Sequence, residues 1–208
     1  MRIKPAWIFL ALGGLSVAGC TTVVLGTAGT VATRTVLAER STMDALRDTE
    51  TQLRLNNNFL AQSTELFGDV STNVVEGRVV LTGSVPRRED KITATRVAWE
   101  TEGVMEVTDE LVVRQDSGTV AYAEDAWISN QLRFSLLTDR DVSSVNYSVE
   151  TVDKVVHLTG LARSRNELSK VISLASGIPG VARVVSHVLT IDDPRRTASG
   201  ARNSASNG

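Results

Sequence analysis

The chain is written twice. Val79-Val80-Leu81-Thr82-Gly83 returns as Val156-His157-Leu158-Thr159-Gly160, an offset of 77 residues. The offset continues without a gap. Arg88 falls on Arg165, Ala98 on Ala175, Gly103 on Gly180, Val104 on Val181 and Val107 on Val184; upstream, Leu55 falls on Leu132 and Leu60 on Leu137. Two copies are too few for a solenoid, which needs about three stacked repeats to bury a continuous core. The repeat therefore predicts two small tandem domains, over 44–115 and 116–191.

Both copies read in the same order. A helix is expected over 44–61 and again over 124–138. Two strands with alternating apolar residues follow: 70–75 and 78–83 in copy one, 145–152 and 154–160 in copy two. Glu76-Gly77 and Asp153-Lys154 mark the turns between them. A second helix is expected over 87–101 and 165–176. Pro86 suits a first helical position, and Ser164-Arg165-Asn166-Glu167 reads as a capping box. Gly103, and Gly177 with Pro179-Gly180, stop these helices. Final strands are expected over 105–113 and 182–191. The order αββαβ gives an α+β fold: in each domain a three-stranded sheet carries two helices, most simply on one face.

Composition narrows the function. Lys and Arg total 22 and Asp and Glu 24, a net charge of −2, which argues against a nucleic-acid binder with its basic surface. The single cysteine excludes an internal disulfide framework and a multi-cysteine zinc site. The two histidines, His157 and His187, fall on different strands with no serine or cysteine partner set beside them. The acidic pairs Glu89-Asp90 and Asp192-Asp193 are adjacent in sequence, so their side chains point apart. No glycine has the context of a phosphate-binding loop. The reading is of a non-enzymatic protein with no metal or cofactor.

The N-terminal segment 1–19 reads as a secretory signal. Arg2 and Lys4 precede an apolar run over 6–15, far shorter than the roughly 20 residues a membrane-spanning helix needs. It ends in Val17-Ala18-Gly19-Cys20, which resembles the bacterial lipobox. The resemblance implies cleavage before Cys20 and acylation of its thiol and new amine. Thr21, where inner-membrane lipoproteins carry Asp, implies the outer membrane of a Gram-negative cell, facing the periplasm. Residues 20–43 are expected to be the acylated N-terminus and a tether. The segment 192–208 has no aliphatic or aromatic residue beyond Ala and is expected to be a disordered tail. Its Arg195, Arg196 and Arg202 read as solvated charge.

The repeated pattern V-x-V-x-x-G-x-V-x-L-x-G, a helix, then G-V-x-x-V, resembles the BON domain. Copy one supplies Val74, Gly77, Val79, Leu81, Gly83, Gly103, Val104 and Val107; copy two supplies Val149, Val156, Leu158, Gly160, Gly180, Val181 and Val184. Copy two departs at Thr151 and at Lys154, where the turn glycine is missing; these departures are expected to alter a turn and not the fold. With the lipobox, the resemblance is to the dual BON-domain outer-membrane lipoproteins. It implies a role in envelope integrity and binding to anionic phospholipid.

The first helix of copy two carries more apolar surface than one small sheet needs. At about 100° per residue, Ile128, Leu132, Ser135 and Leu136 face the sheet, whereas Trp127, Phe134 and Leu137 lie on another side, with Arg133 and Arg140 nearby. At the offset, Trp127 becomes Glu50 and Phe134 becomes Asn57, so copy one reads as polar where copy two is aromatic. Residues 41–116 hold 8 basic and 14 acidic residues, a net of −6, against 7 and 7 in residues 117–191. Copy two is thus the expected partner of an anionic bilayer, through Trp127, Phe134, Leu137, Arg133 and Arg140. The alternative is an adaptor for envelope-assembly proteins, with the aromatic residues packed against copy one or a partner.

Overall fold

The computed structural model describes residues 42–114 and 119–196. The expected signal segment, Cys20, the tether up to residue 41, and the tail from residue 197 lie outside the described residues.

Copy one runs α1 (Thr42–Gln62), α2 (Thr64–Asp69), β1 (Val70–Val75), β2 (Arg78–Val85), α3 (Arg88–Glu100), β3 (Glu106–Asp109) and β4 (Val112–Val113). Copy two runs α4 (Thr119–Thr138), a 3-10 turn (Ser144–Asn146), β5 (Tyr147–Val152), β6 (Val155–Ala162), α5 (Arg165–Ser176), β7 (Arg183–Ser186) and β8 (Leu189–Thr190). In each copy the hairpin is antiparallel, and the last strand, in two pieces, lies parallel to the central strand β2 or β6. The repeat offset is kept throughout: Val70 pairs Gly83 as Tyr147 pairs Gly160.

One pair of glycines explains why the last strands are broken. Gly83 and Gly160 have φ of 126° and 134°. A Cβ at either would strike a main-chain carbonyl, that of Asp69 or of Asn146. Only glycine supports that bend. The parallel ladder lapses beside it, between Asp109 and Val112 and between Ser186 and Leu189, then resumes in the same register.

Two helix starts differ from expectation. Pro86 lies ahead of α3, whose N-cap is an extended Arg87 without a side-chain cap bond. Arg87 instead pairs with Asp90 at 2.7 Å. Ser164 does cap α5, accepting from the Glu167 N–H at 3.2 Å. The Glu167 carboxylate completes no reciprocal box; it accepts from the Ser143 N–H at 2.8 Å and the Arg163 N–H at 2.9 Å. Helix α2 was not expected. It is one turn and a half, too short to show a helical period, yet it buries Leu66 and is capped by Ser63.

Each sheet packs one face on its own helices. Val74, Val79, Leu81 and Val85 meet Leu55, Phe59, Ala94 and Val97 in copy one; Val149, Val156 and Leu158 meet Ile128, Leu132, Leu136 and Val171 in copy two. The other face of each sheet is covered as well. Val80, Thr82, His157 and Thr159 sit on the alternate positions of β2 and β6, outside those cores, yet all are buried. What covers them is the other copy: β1 meets β6 and β2 meets β5, and Asn73 Nδ2 donates to Ser148 Oγ at 2.8 Å. The two copies therefore stand sheet to sheet with their helices outermost.

Matching clasps close this seam. Arg114, just past β4, pairs with Asp153 in the turn of the copy-two hairpin. Arg196, past β8, pairs with Glu76 in the turn of the copy-one hairpin at 2.7 Å and donates to the Ile191 carbonyl. The start of the expected tail is thus ordered over 192–196, and Arg196 is committed to copy one. Arg195 pairs with Asp193, and its carbonyl accepts from Arg78. The hydrogen bond from Arg195 holds the Asp193 carboxyl down at about 2, against the opposing effect of burial.

Candidate functional site

Helix α4 places Ile128, Leu132 and Leu136 inward, each no more than 2% exposed. Ser135 is half-buried and bonds to the Gln131 carbonyl in its own helix. On the outward side, Trp127 is 47% exposed, Phe134 65% and Leu137 70%. Tyr122, 74% exposed, joins them; sequence reading passed over it although it lies within the same apolar helix. Packing of Trp127 and Phe134 against copy one is not what the structure holds. Copy one is met by the sheet, whereas α4 packs on β5 and α5 of its own copy.

The two arginines are not equivalent. Arg133 turns toward the edge of β5, donating to the Val149 carbonyl and lying 3.8 Å from Glu150. Its side chain is still half exposed. Burial raises the Glu150 carboxyl, and the Arg133 charge only partly offsets this. Arg140, beyond the end of α4, is exposed and meets no carboxylate among the described residues. A cation there is also favoured by the negative end of the helix dipole.

Copy one is less wettable than its charge suggests. Leu46, Leu53 and Leu60 are 63, 59 and 49% exposed and recur every seven residues, forming a stripe along α1. The expectation of a polar outer helix in copy one is corrected accordingly. Positions 50 and 57 are polar and exposed, and the apolar stripe runs through the neighbouring row.

The histidines are also closer than their strands suggested. β6 and β7 are neighbours with His157 level with Val185, so His187, two residues further on, falls on the same side as His157. There His187 Nε2 lies 3.1 Å from Glu110 Oε1 of copy one. Positions 110 and 187 are related by the repeat offset, so equivalent positions of the two copies meet at the seam.

The family model for the BON domain matches twice, at residues 47–115 and 124–191. A protein of Anaplasma centrale, described by its place in the region 5′ of gshII, is 40% identical over 124 residues, 59% of this chain and 82% of its own. Outer membrane lipoprotein DolP of Haemophilus influenzae is 28% identical over 169 residues, 80% of this chain and 86% of its own. Osmotically-inducible protein Y of Escherichia coli is 32% identical over 124 residues, 59% of this chain and 62% of its own. Among the described residues no helix is long and apolar enough to cross a membrane. Matched over both of its copies, and in the αββαβ order each copy folds into, the chain belongs to the BON-domain family.

Proposed function

We propose that this protein is a non-enzymatic envelope lipoprotein that docks α4 of its second BON domain on anionic phospholipid. The observation that carries the reading is the outward side of α4, where Trp127, Phe134 and Leu137 stand exposed on a helix that has already filled its core. Aromatic residues of this kind suit shallow burial at the headgroup boundary, and Arg140 at the helix end suits a phosphate. Fully burying such side chains gains about 1.5–3 kcal/mol each, enough for reversible contact but not for permanent attachment. Permanent attachment falls to Cys20, acylated after removal of residues 1–19, on the periplasmic side of an outer membrane. The similarity to the outer membrane lipoprotein DolP of Haemophilus influenzae supports this placement. The anchor raises the local concentration of bilayer around α4, so weak docking suffices.

Vesicle flotation tests the reading. The chain from residue 21 onward, which lacks Cys20 and hence the acyl anchor, floats with vesicles containing phosphatidylglycerol and far less with phosphatidylcholine alone. Trp127→Glu in that chain loses flotation while its unfolding free energy from urea melts stays within about 0.5 kcal/mol of the parent, as expected for a surface position. Equal flotation of the variant would refute docking through α4.

The leucine stripe of α1 favours a second activity in copy one. Leucines at seven-residue spacing fit a partner helix, and the acidic charge of copy one turns that side from an anionic surface. This is the adaptor reading, with an envelope-assembly protein as the partner class. Leu53→Arg separates the two activities: it breaks a protein complex and leaves vesicle flotation intact.

A further inference from the structure

The seam between the copies holds a polar cluster that neither docking face uses. Glu110 and His187 occupy the two ladder breaks, level with Thr82 and Thr159, and they face each other across the seam. His157 on β6 lies beside them. It is 4% exposed, and its Nδ1 has no hydrogen-bond partner. His187 Nε2, although close to Glu110, makes no hydrogen bond of good geometry either. One donor atom from each of Glu110, His157 and His187 lies within 4.8 Å of the other two. Buried polar atoms in folded proteins are nearly always satisfied, so an orphaned imidazole nitrogen on a residue clustered with a second imidazole and a carboxylate calls for a partner.

We propose that Glu110, His157 and His187 bind a divalent transition-metal ion of the zinc type, bridging the two BON domains. Two imidazole nitrogens and one carboxylate oxygen suit such an ion. Magnesium and calcium prefer all-oxygen sites. Ligands about 2.0–2.1 Å from a tetrahedral ion stand about 3.3 Å from one another. Glu110 and His187 are already near that spacing at 3.1 Å, and the His157 donor atom lies within 4.8 Å of both. Three protein ligands leave a fourth position for water. Because Glu110 comes from copy one and both histidines from copy two, the ion would pin the seam.

The test uses the full chain, stripped with chelator and titrated calorimetrically with zinc sulfate, with magnesium chloride as control. One equivalent of zinc binds at micromolar concentration or tighter, magnesium does not, and the thermal midpoint rises with zinc. Cobalt(II) gives the visible absorption of a four-coordinate site without a thiolate band. Glu110→Gln and His187→Gln, both at partly exposed positions, each weaken zinc binding at least tenfold with unchanged circular dichroism. His157→Gln does the same where it folds; the other two variants decide the matter where it does not. No zinc uptake, or uptake that both variants leave unchanged, overturns the proposal.

Discussion

At Lys154 the backbone φ is 63°, and at the preceding Asp153 it is 51°. The equivalent turn in copy one has the same sign at Glu76 and Gly77, with φ of 53° and 73°. Copy two thus keeps the hairpin turn with a lysine where copy one uses glycine. The missing glycine leaves the turn unaltered in kind; the departure appears as backbone strain. Lys154→Gly should relieve about 1 kcal/mol of left-handed strain. It also loses the half-exposed contact to Glu124 at 3.0 Å, a solvent-screened pair that contributes little. A modest rise in urea midpoint is expected. What holds the turn is a buried carboxylate beneath it. Asp125 accepts from the N–H groups of Asp153 and Lys154 at 2.8 and 2.9 Å, as Asp48 accepts from Glu76 and Gly77 at 2.8 and 3.0 Å. Asp125→Ala strips two N–H groups of their acceptor and should cost about 2–3 kcal/mol in a denaturant melt. The two aspartates are 77 residues apart and were legible as a repeated pair. Their role was not, because it depends on a contact between elements that sequence spacing alone does not bring together.

Among the elements, those with a clear period were the legible ones. α5 and β1 match their expected bounds, and α1 differs by two residues at its start and one at its end. α2, the 3-10 turn and the broken last strands were not read, since each depends on the bend at Gly83 or Gly160 or on packing beneath a loop. The start of α5 shows how a local motif yields to its surroundings. Burial pushes the Glu167 carboxyl up, but the Arg163 guanidinium and the N–H groups of Ser143 and Arg163 outweigh it and hold it below the ordinary glutamate value. A carboxyl depressed by folding contributes stability above its unfolded pKa and loses it as pH falls through the folded value. Stability should therefore decline on acidification below the ordinary glutamate range. Glu167→Gln should lower stability at neutral pH and flatten that decline, which melts from pH 6 to pH 3 would record.

Across the whole molecule, the sheet-to-sheet seam was the least legible feature, yet it left a trace. β6 is buried along nearly its full length and β2 from Val79 to Thr82 and at Val85, and near-continuous apolar runs such as Val79-Val80-Leu81 are what strands covered on both faces require. The exposed side of α4 was readable because a helix wheel separates faces within one element. The seam needs two sheets and the clasps at their ends. Arg196→Ala removes the clasp on Glu76, whose side chain is 8% exposed. It should cost about 1.5–3 kcal/mol, the usual worth of a hydrogen bond to a charged group. In calorimetry the loosened seam should broaden the transition or split it in two.

Placing the sheets back to back sends the helical surfaces of the two domains in opposite directions. Whatever α4 rests against, the leucines of α1 are turned away from it and remain available. A molecule built this way works as a spacer: its thickness sets how far a guest on one side is held from the layer on the other, and lengthening the tether would not change that distance while both sides are occupied.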